Sequence, residues 1–212
     1  YLESLGHHII DLVPGLIGLK GKQSFFADIA GIRADVKVDL YIESTHVCSE
    51  QGELQLTNYG ISGIPVFQLS RVAARALSEQ KKVYATLNFV PLWEKEQCLT
   101  YFKERFKKAD EKRIGEALIG FFPEKLIPVL LEESHIKAAK YANRLQTEEL
   151  ERFIDTVQGL RVDITDWNTF DTAQVPAGGV DTDEIDAETM ESKLCPGLYF
   201  AGEMVDIDGI CG

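Results

Sequence analysis

The sequence predicts an α+β protein, a small β-barrel or sandwich with an inserted helical subdomain, and three observations carry that reading. Ile32, Ala34, Val36, Val38, Leu40 and Ile42 alternate with Arg33, Asp35, Lys37, Asp39 and Tyr41, the period of a half-buried strand. Between residues 91 and 158 the apolar period becomes helical. Alternation then returns at Leu160, Val162 and Ile164, so the helices sit between strands rather than after them.

Taken in order, the strand at 32–42 is followed by a turn-like Ser49-Glu50-Gln51-Gly52 and by renewed alternation over 53–57, which predicts an antiparallel hairpin with a loose connection. Ser62-Gly63-Ile64-Pro65 opens a helix reaching about Gln80, because proline is tolerated in a first turn. Val66, Leu69, Ala73 and Ala76 form its apolar stripe, with Arg71 and Arg75 at the edge or facing away. Val83, Ala85, Leu87 and Phe89 predict a further strand. Several short helices follow, marked by Cys98, Phe102 and Phe106, by Ile114, Leu118, Leu126 and Leu130, and by Leu150, Phe153, Ile154 and Val157. The last is the best framed: the Thr147 hydroxyl suits its N-cap, Glu148 and Glu149 its positive dipole end, and Gly159 its C′ position.

Composition bounds the function. Against 22 Lys+Arg stand 34 Asp+Glu, so the formal charge of the 212 residues is 22 − 34 = −12, which disfavours a nucleic-acid partner. Apolar residues at 45% and charged ones at 26% exclude disorder, collagen-like repeats and coiled coils. Cys48, Cys98, Cys195 and Cys211 form no Cys-x-x-Cys pair, so neither a zinc nor a disulfide framework is expected. Pro14, Gly15, Gly18 and Pro128 break the apolar runs well short of the ~20 residues a membrane helix needs. No signal peptide is visible, and a cytoplasmic protein with no membrane partner is expected. The chain opens at Tyr1 without methionine and closes on an apolar, glycine-rich run, which reads as a piece of a longer protein.

The segment richest in chemistry is Gly197-Leu198-Tyr199-Phe200-Ala201-Gly202-Glu203, with Asp206, Asp208-Gly209 and Cys211-Gly212 beyond it. It reads as an apolar strand ending in a small-small-acid turn. In dinucleotide-binding folds such an acid accepts hydrogen bonds from ribose or ribityl hydroxyls, and glycines opening a helix offer N–H groups to an anion. The plainer reading is a buried strand and a turn.

These residues, together with Ala177-Gly178-Gly179-Val180, Glu184-Ile185-Asp186, Thr189-Met190-Glu191-Ser192-Lys193 and the upstream Asn58-Tyr59-Gly60-Ile61-Ser62-Gly63-Ile64-Pro65, form a pattern that resembles the BaiN/YhiN-like, or aminoacetone-oxidase-like, flavoproteins over essentially the whole chain. The resemblance implies a longer parent: a Rossmann-like FAD domain split in sequence, with a β-barrel and a helical subdomain inserted. Residues 1–90 and 159–195 would then be barrel-like with one helix near 62–80, residues 91–158 the helical subdomain, and residues 196–212 the start of the C-terminal FAD-domain segment. It implies Gly202 and Glu203 beside the FAD ribityl and pyrophosphate, Asp206, Gly209, Cys211 and Gly212 at the turn toward the flavin-facing helix, and Gly178 and Gly179 against the isoalloxazine or substrate space. Val175-Pro176 stands where relatives show Val-Thr, which removes a hydroxyl. The Gly-x-Gly-x-x-Gly segment that would cradle the pyrophosphate is absent from these residues, so FAD is expected in the parent and not in this chain alone. The parent would exchange hydride between flavin and a small organic substrate, as an amine oxidase or a reductase of unsaturated ring ketones. The implied partners are the FAD domain of the same parent and a second protomer. The competing reading is a non-catalytic docking or oligomerisation module.

No residue earns assignment as the catalytic group. His7, His8, His46 and His135 fit structural roles, and Asp181, Asp183, Glu184 and Asp186 a solvated loop. The 206–209 acids lack the glycine and glutamate spacing of a calcium loop, so no metal site is expected. Trp93, Tyr101, Phe102, Phe106, Phe121 and Phe122 fit a helical core before an aromatic substrate pocket.

Overall fold

A computed structural model describes residues 1–207 and 209. Its first strand, β1 (Ile9–Gly15), lies outside the barrel, and β2 (Leu19–Gly21) enters it. The short helix α1 (Phe26–Ile29) buries Phe26 and Ile29. β3 (Arg33–Ile42) buries Val36, Val38 and Leu40 completely, as the alternation requires. It turns back through Glu43 and Ser44, both left-handed with φ 48 and 72°, into β4 (Thr45–Leu56). The turn predicted at Ser49–Gly52 is therefore strand: Ser49 pairs with Asp39 and Gly52 with Val36. The first half of β4 is paired to β3 and reaches β5 only from Leu54 on, so its residues stay exposed and polar and mimic a turn in sequence.

β5 (Gly60–Gly63) leads directly into α2 (Ile64–Ser78), with Pro65 in the first turn, and β6 (Val83–Asn88) pairs with β3. Then come α3 (Lys95–Lys108), α4 (Ile114–Leu118), α5 (Leu126–Glu133) and α6 (Thr147–Gly159). Phe102, Phe106, Phe122 and Phe153 are buried among them, with Phe102 and Phe153 edge to face at 5.5 Å between ring centroids. Thr147 is the first residue of α6 rather than its cap. The position before it is Gln146, whose backbone N–H donates to the Glu149 carboxylate at 2.8 Å, and that frees the threonine hydroxyl from the role. Gly159 ends the helix without a left-handed cap, because Leu160 starts β7 (Leu160–Trp167) at once.

β7 pairs with β6 and β2 and closes the barrel in the order β2-β5-β4-β3-β6-β7, which decides between barrel and sandwich. One continuous apolar core runs through the barrel and the helices. β8 (Val175–Val180) returns to pair antiparallel with β1 in a separate two-stranded sheet. The predicted strand at 197–200 is irregular: Tyr199 makes a single bridge to Glu191, and the Phe200 N–H donates to the Met190 carbonyl at 3.0 Å. Its neighbours are loops rather than a strand edge, so its apolar side chains instead build a small second core of Val180, Ile185, Phe200 and Val205.

Candidate functional site

The stripe of α2 opposite the barrel carries Phe67, Gln68 and Arg71, since its other face buries Val66, Leu69 and Ala73. These three side chains form one wall of a cavity of about 400 Å³. A second wall is the paired end of β1 and start of β8, where Gly15 faces Val175 and Leu16 follows. Glu50 from β4 and the tail residues Glu203, Val205, Ile207 and Gly209 complete it.

The corner at Leu16 is tightly fixed. Leu16 is left-handed with φ 48°. The next amide, Ile17 N–H, donates to the Ser70 hydroxyl at 3.2 Å, and Ser70 in turn donates to the Phe67 carbonyl at 2.7 Å. Ser70 is fully buried, so this hydroxyl fastens the corner to α2 away from water. Charge of both signs faces the cavity: Glu50 and Glu203, and the Arg71 guanidinium. Nearby on β4, burial pushes the Cys48 thiol above its ordinary range, helped by Glu50 and opposed by Arg71.

Of the residues singled out in sequence, Glu203 and Gly209 reach the cavity. Asp206 lies beside it, its carboxylate 3.0 Å from the Arg75 guanidinium one turn along α2, which ties the tail to that helix. Gly202 opens an exposed 3-10 turn (Gly202–Met204) with φ 72°. Gly178 and Gly179 have a reason inside the chain: a Cβ would stand 2.6 Å from the Asp11 carbonyl oxygen at the first and 2.6 Å from that of Met204 at the second. Cys211 and Gly212 lie outside the described residues. Leu16, Ser70 and Arg71 carried no site assignment from sequence, because a left-handed corner, a buried hydroxyl and a cation off the apolar stripe come together only in the fold.

A Cβ at Gly202 would meet nothing within 4 Å, and the adjacent Glu203 carboxylate is exposed, so this turn offers open acceptor oxygens to solvent. Among the described residues no cluster of His, Cys, Asp or Glu is arranged to hold a metal, and no helix is long and apolar enough to cross a membrane.

A second polar constellation has a different purpose. Buried His7 places Nδ1 2.8 Å from Glu184 and Nε2 3.0 Å from the Ser192 hydroxyl. The order resembles a hydrolytic triad, but the Ser192 oxygen also accepts the Leu194 and Cys195 N–H groups at 3.1 and 2.8 Å and is 5% exposed as a residue. It is a clamp joining the N-terminal segment to the 184–195 loop. The acids of that loop are likewise structural rather than simply solvated: backbone N–H donors from Asp183 and Thr189 lead in holding the Asp181 and Asp186 carboxyls below their usual range.

Comparison with known proteins places these features. The family described as HI0933-like protein barrel and H2TH domain matches residues 13–175. A 3-dehydro-bile acid delta(4,6)-reductase of Clostridium scindens is 43% identical over 210 residues, 99% of this chain and 51% of the relative. A ribosomal RNA dihydrouridine synthase of Escherichia coli is 26% identical over 99% of this chain and 50% of its own length. A protein of the same name from Haemophilus influenzae is 28% identical over 82% of this chain and 42% of its own length. The chain thus spans about half the length of the curated relatives it matches. With a closed barrel, a helical block between β6 and β7 and a family match across both, the chain belongs to the HI0933-like (BaiN/YhiN-like) family, whose barrel and H2TH domain it carries.

Proposed function

We propose that this chain is the substrate-capping insert of a cytoplasmic FAD-dependent reductase that saturates a carbon–carbon double bond conjugated to a carbonyl in a small cyclic substrate. The names of the relatives share that chemistry. A delta(4,6)-reductase acting on a 3-oxo ring system and a synthase making dihydrouridine both reduce a ring double bond in conjugation with a carbonyl. The observation that carries the reading is the cavity between α2 and the β1–β8 corner, half apolar and flanked by the Gly202–Glu203 turn.

In this reading the apolar lining of the cavity seats the substrate, Arg71 donates to its carbonyl oxygen, and Glu203 accepts hydrogen bonds from the cofactor's hydroxyls. Hydride transfer is the chemistry that FAD supplies when bound. The chain's own contribution is to orient the substrate and exclude water. A net charge of −12 favours a small substrate over a phosphate-rich one. The exposed Leu12, Leu194, Tyr199, Met204 and Ile207 suit docking against the FAD domain of the parent. Free thiols at Cys48, Cys98 and Cys195 suit a reducing compartment.

The test is visible absorbance after mixing with FAD and desalting, for this chain and for the protein extended to its relatives' full length, followed by anaerobic turnover of cyclic enones. Flavin retained by the longer protein alone, with enone reduction, is expected. Flavin retained by neither overturns the oxidoreductase reading in favour of a docking module.

A further inference from the structure

Leu16 holds a conformation that L side chains disfavour, at φ 48°, and of the non-glycine residues that do so among the described residues it is the one that lines the cavity. A corner that needed only this backbone would be easier to build without a side chain. The side chain is not there for the interior: Leu16 belongs to none of the three apolar cores among the described residues. It is half-buried and lines the cavity together with Phe67, which is also outside those cores. Three bonds keep the corner in place: Ile17 N–H to Ser70 at 3.2 Å, Ser70 to the Phe67 carbonyl at 2.7 Å, and Asn168 N–H to the Gly18 carbonyl at 2.9 Å. The backbone of Phe67 is thereby linked to the strained corner through one buried hydroxyl. At about 400 Å³ the cavity lies in the range that buries a drug-sized ligand, more than a single six-membered ring fills.

We propose that Leu16 is a specificity-determining residue: fixed in the left-handed corner by Ser70, its side chain forms with Phe67 and Pro176 the apolar wall that selects multi-ring over single-ring unsaturated carbonyl substrates. The assignment rests on the reductase reading above. Removing the side chain subtracts contact from the far rings of a large substrate and leaves a small ring, seated at its carbonyl, almost unaffected.

The experiment uses the full-length protein loaded with FAD, as wild type, Leu16→Gly and Leu16→Asn. Asparagine tolerates the left-handed region and keeps the turn while losing apolar reach. Two probes are compared, a steroid 4,6-dien-3-one and cyclohex-2-enone, each by equilibrium dialysis and by kcat/KM, with Tm recorded alongside. Both variants are expected to keep or raise Tm, to lose about tenfold or more in steroid affinity and kcat/KM, and to change by less than about twofold toward cyclohexenone. Equal losses on both probes, or unchanged steroid binding, overturn the proposal. Wild-type protein that binds the steroid but reduces neither probe overturns the reductase reading, and dialysis of the variants still decides the role of Leu16. Wild-type protein that reduces cyclohexenone without binding the steroid overturns the proposal alone.

Discussion

Ser70 shows how much a single buried hydroxyl can organise. It accepts the Ile17 amide and donates to Phe67, so Ser70→Ala leaves a buried N–H without its partner and is expected to cost about 1–3 kcal/mol in urea denaturation. Ser70→Thr, which retains the hydroxyl, should recover part of that loss if the added methyl is accommodated. A second residue-scale case is Glu149, whose carboxyl is held below its ordinary range first by the Lys140 ammonium at 2.7 Å and then by the Gln146 N–H. A depressed carboxyl contributes stability that is complete above the ordinary glutamate range and is lost as pH falls through its lower folded value. Glu149→Gln should therefore destabilise by roughly 0.5–1 kcal/mol at pH 7. The gap from wild type should close in acid, below the usual glutamate range. A gap independent of pH would show that the charge is not what matters.

At the scale of elements, the strands and helices that alternate or repeat cleanly are legible because one face of each is buried. β3 and α6 are the clearest, with Val36, Val38 and Leu40 inward in one and Leu150, Phe153, Ile154 and Val157 in the other. The failures have the complementary cause. Half of β4 is exposed and polar, and the 197–200 run is apolar without a ladder, so composition misled in opposite directions. Phe153 meets Phe102, Phe106 and Phe122, at 5.5, 6.2 and 6.3 Å between centroids. Phe153→Ala is expected to cost about 3–5 kcal/mol, read from the denaturation midpoint of the far-UV signal, because a fully buried ring leaves a cavity its neighbours refill only in part.

For the whole molecule, the barrel and the helices share one core, from Leu19 and Val36 through Leu87 to Phe102 and Leu130. They should unfold together: far-UV ellipticity, weighted to the helices, and tryptophan fluorescence, reporting Trp93 and Trp167, are expected to give coincident transitions. Two separated transitions would show that the helical block is an independent unit. The α+β class, the helical insertion between strands and the family are legible in the sequence, because periodic burial and local turn residues leave their mark on neighbouring positions. The closure of the sheet into a barrel, the pairing of β1 with β8 between Gly15 and Val175, and the meeting of Leu16, Phe67, Arg71 and Glu203 around one cavity are set by the tertiary structure. Those contacts join residues far apart in the chain, and no local period records which distant segments come to share a wall.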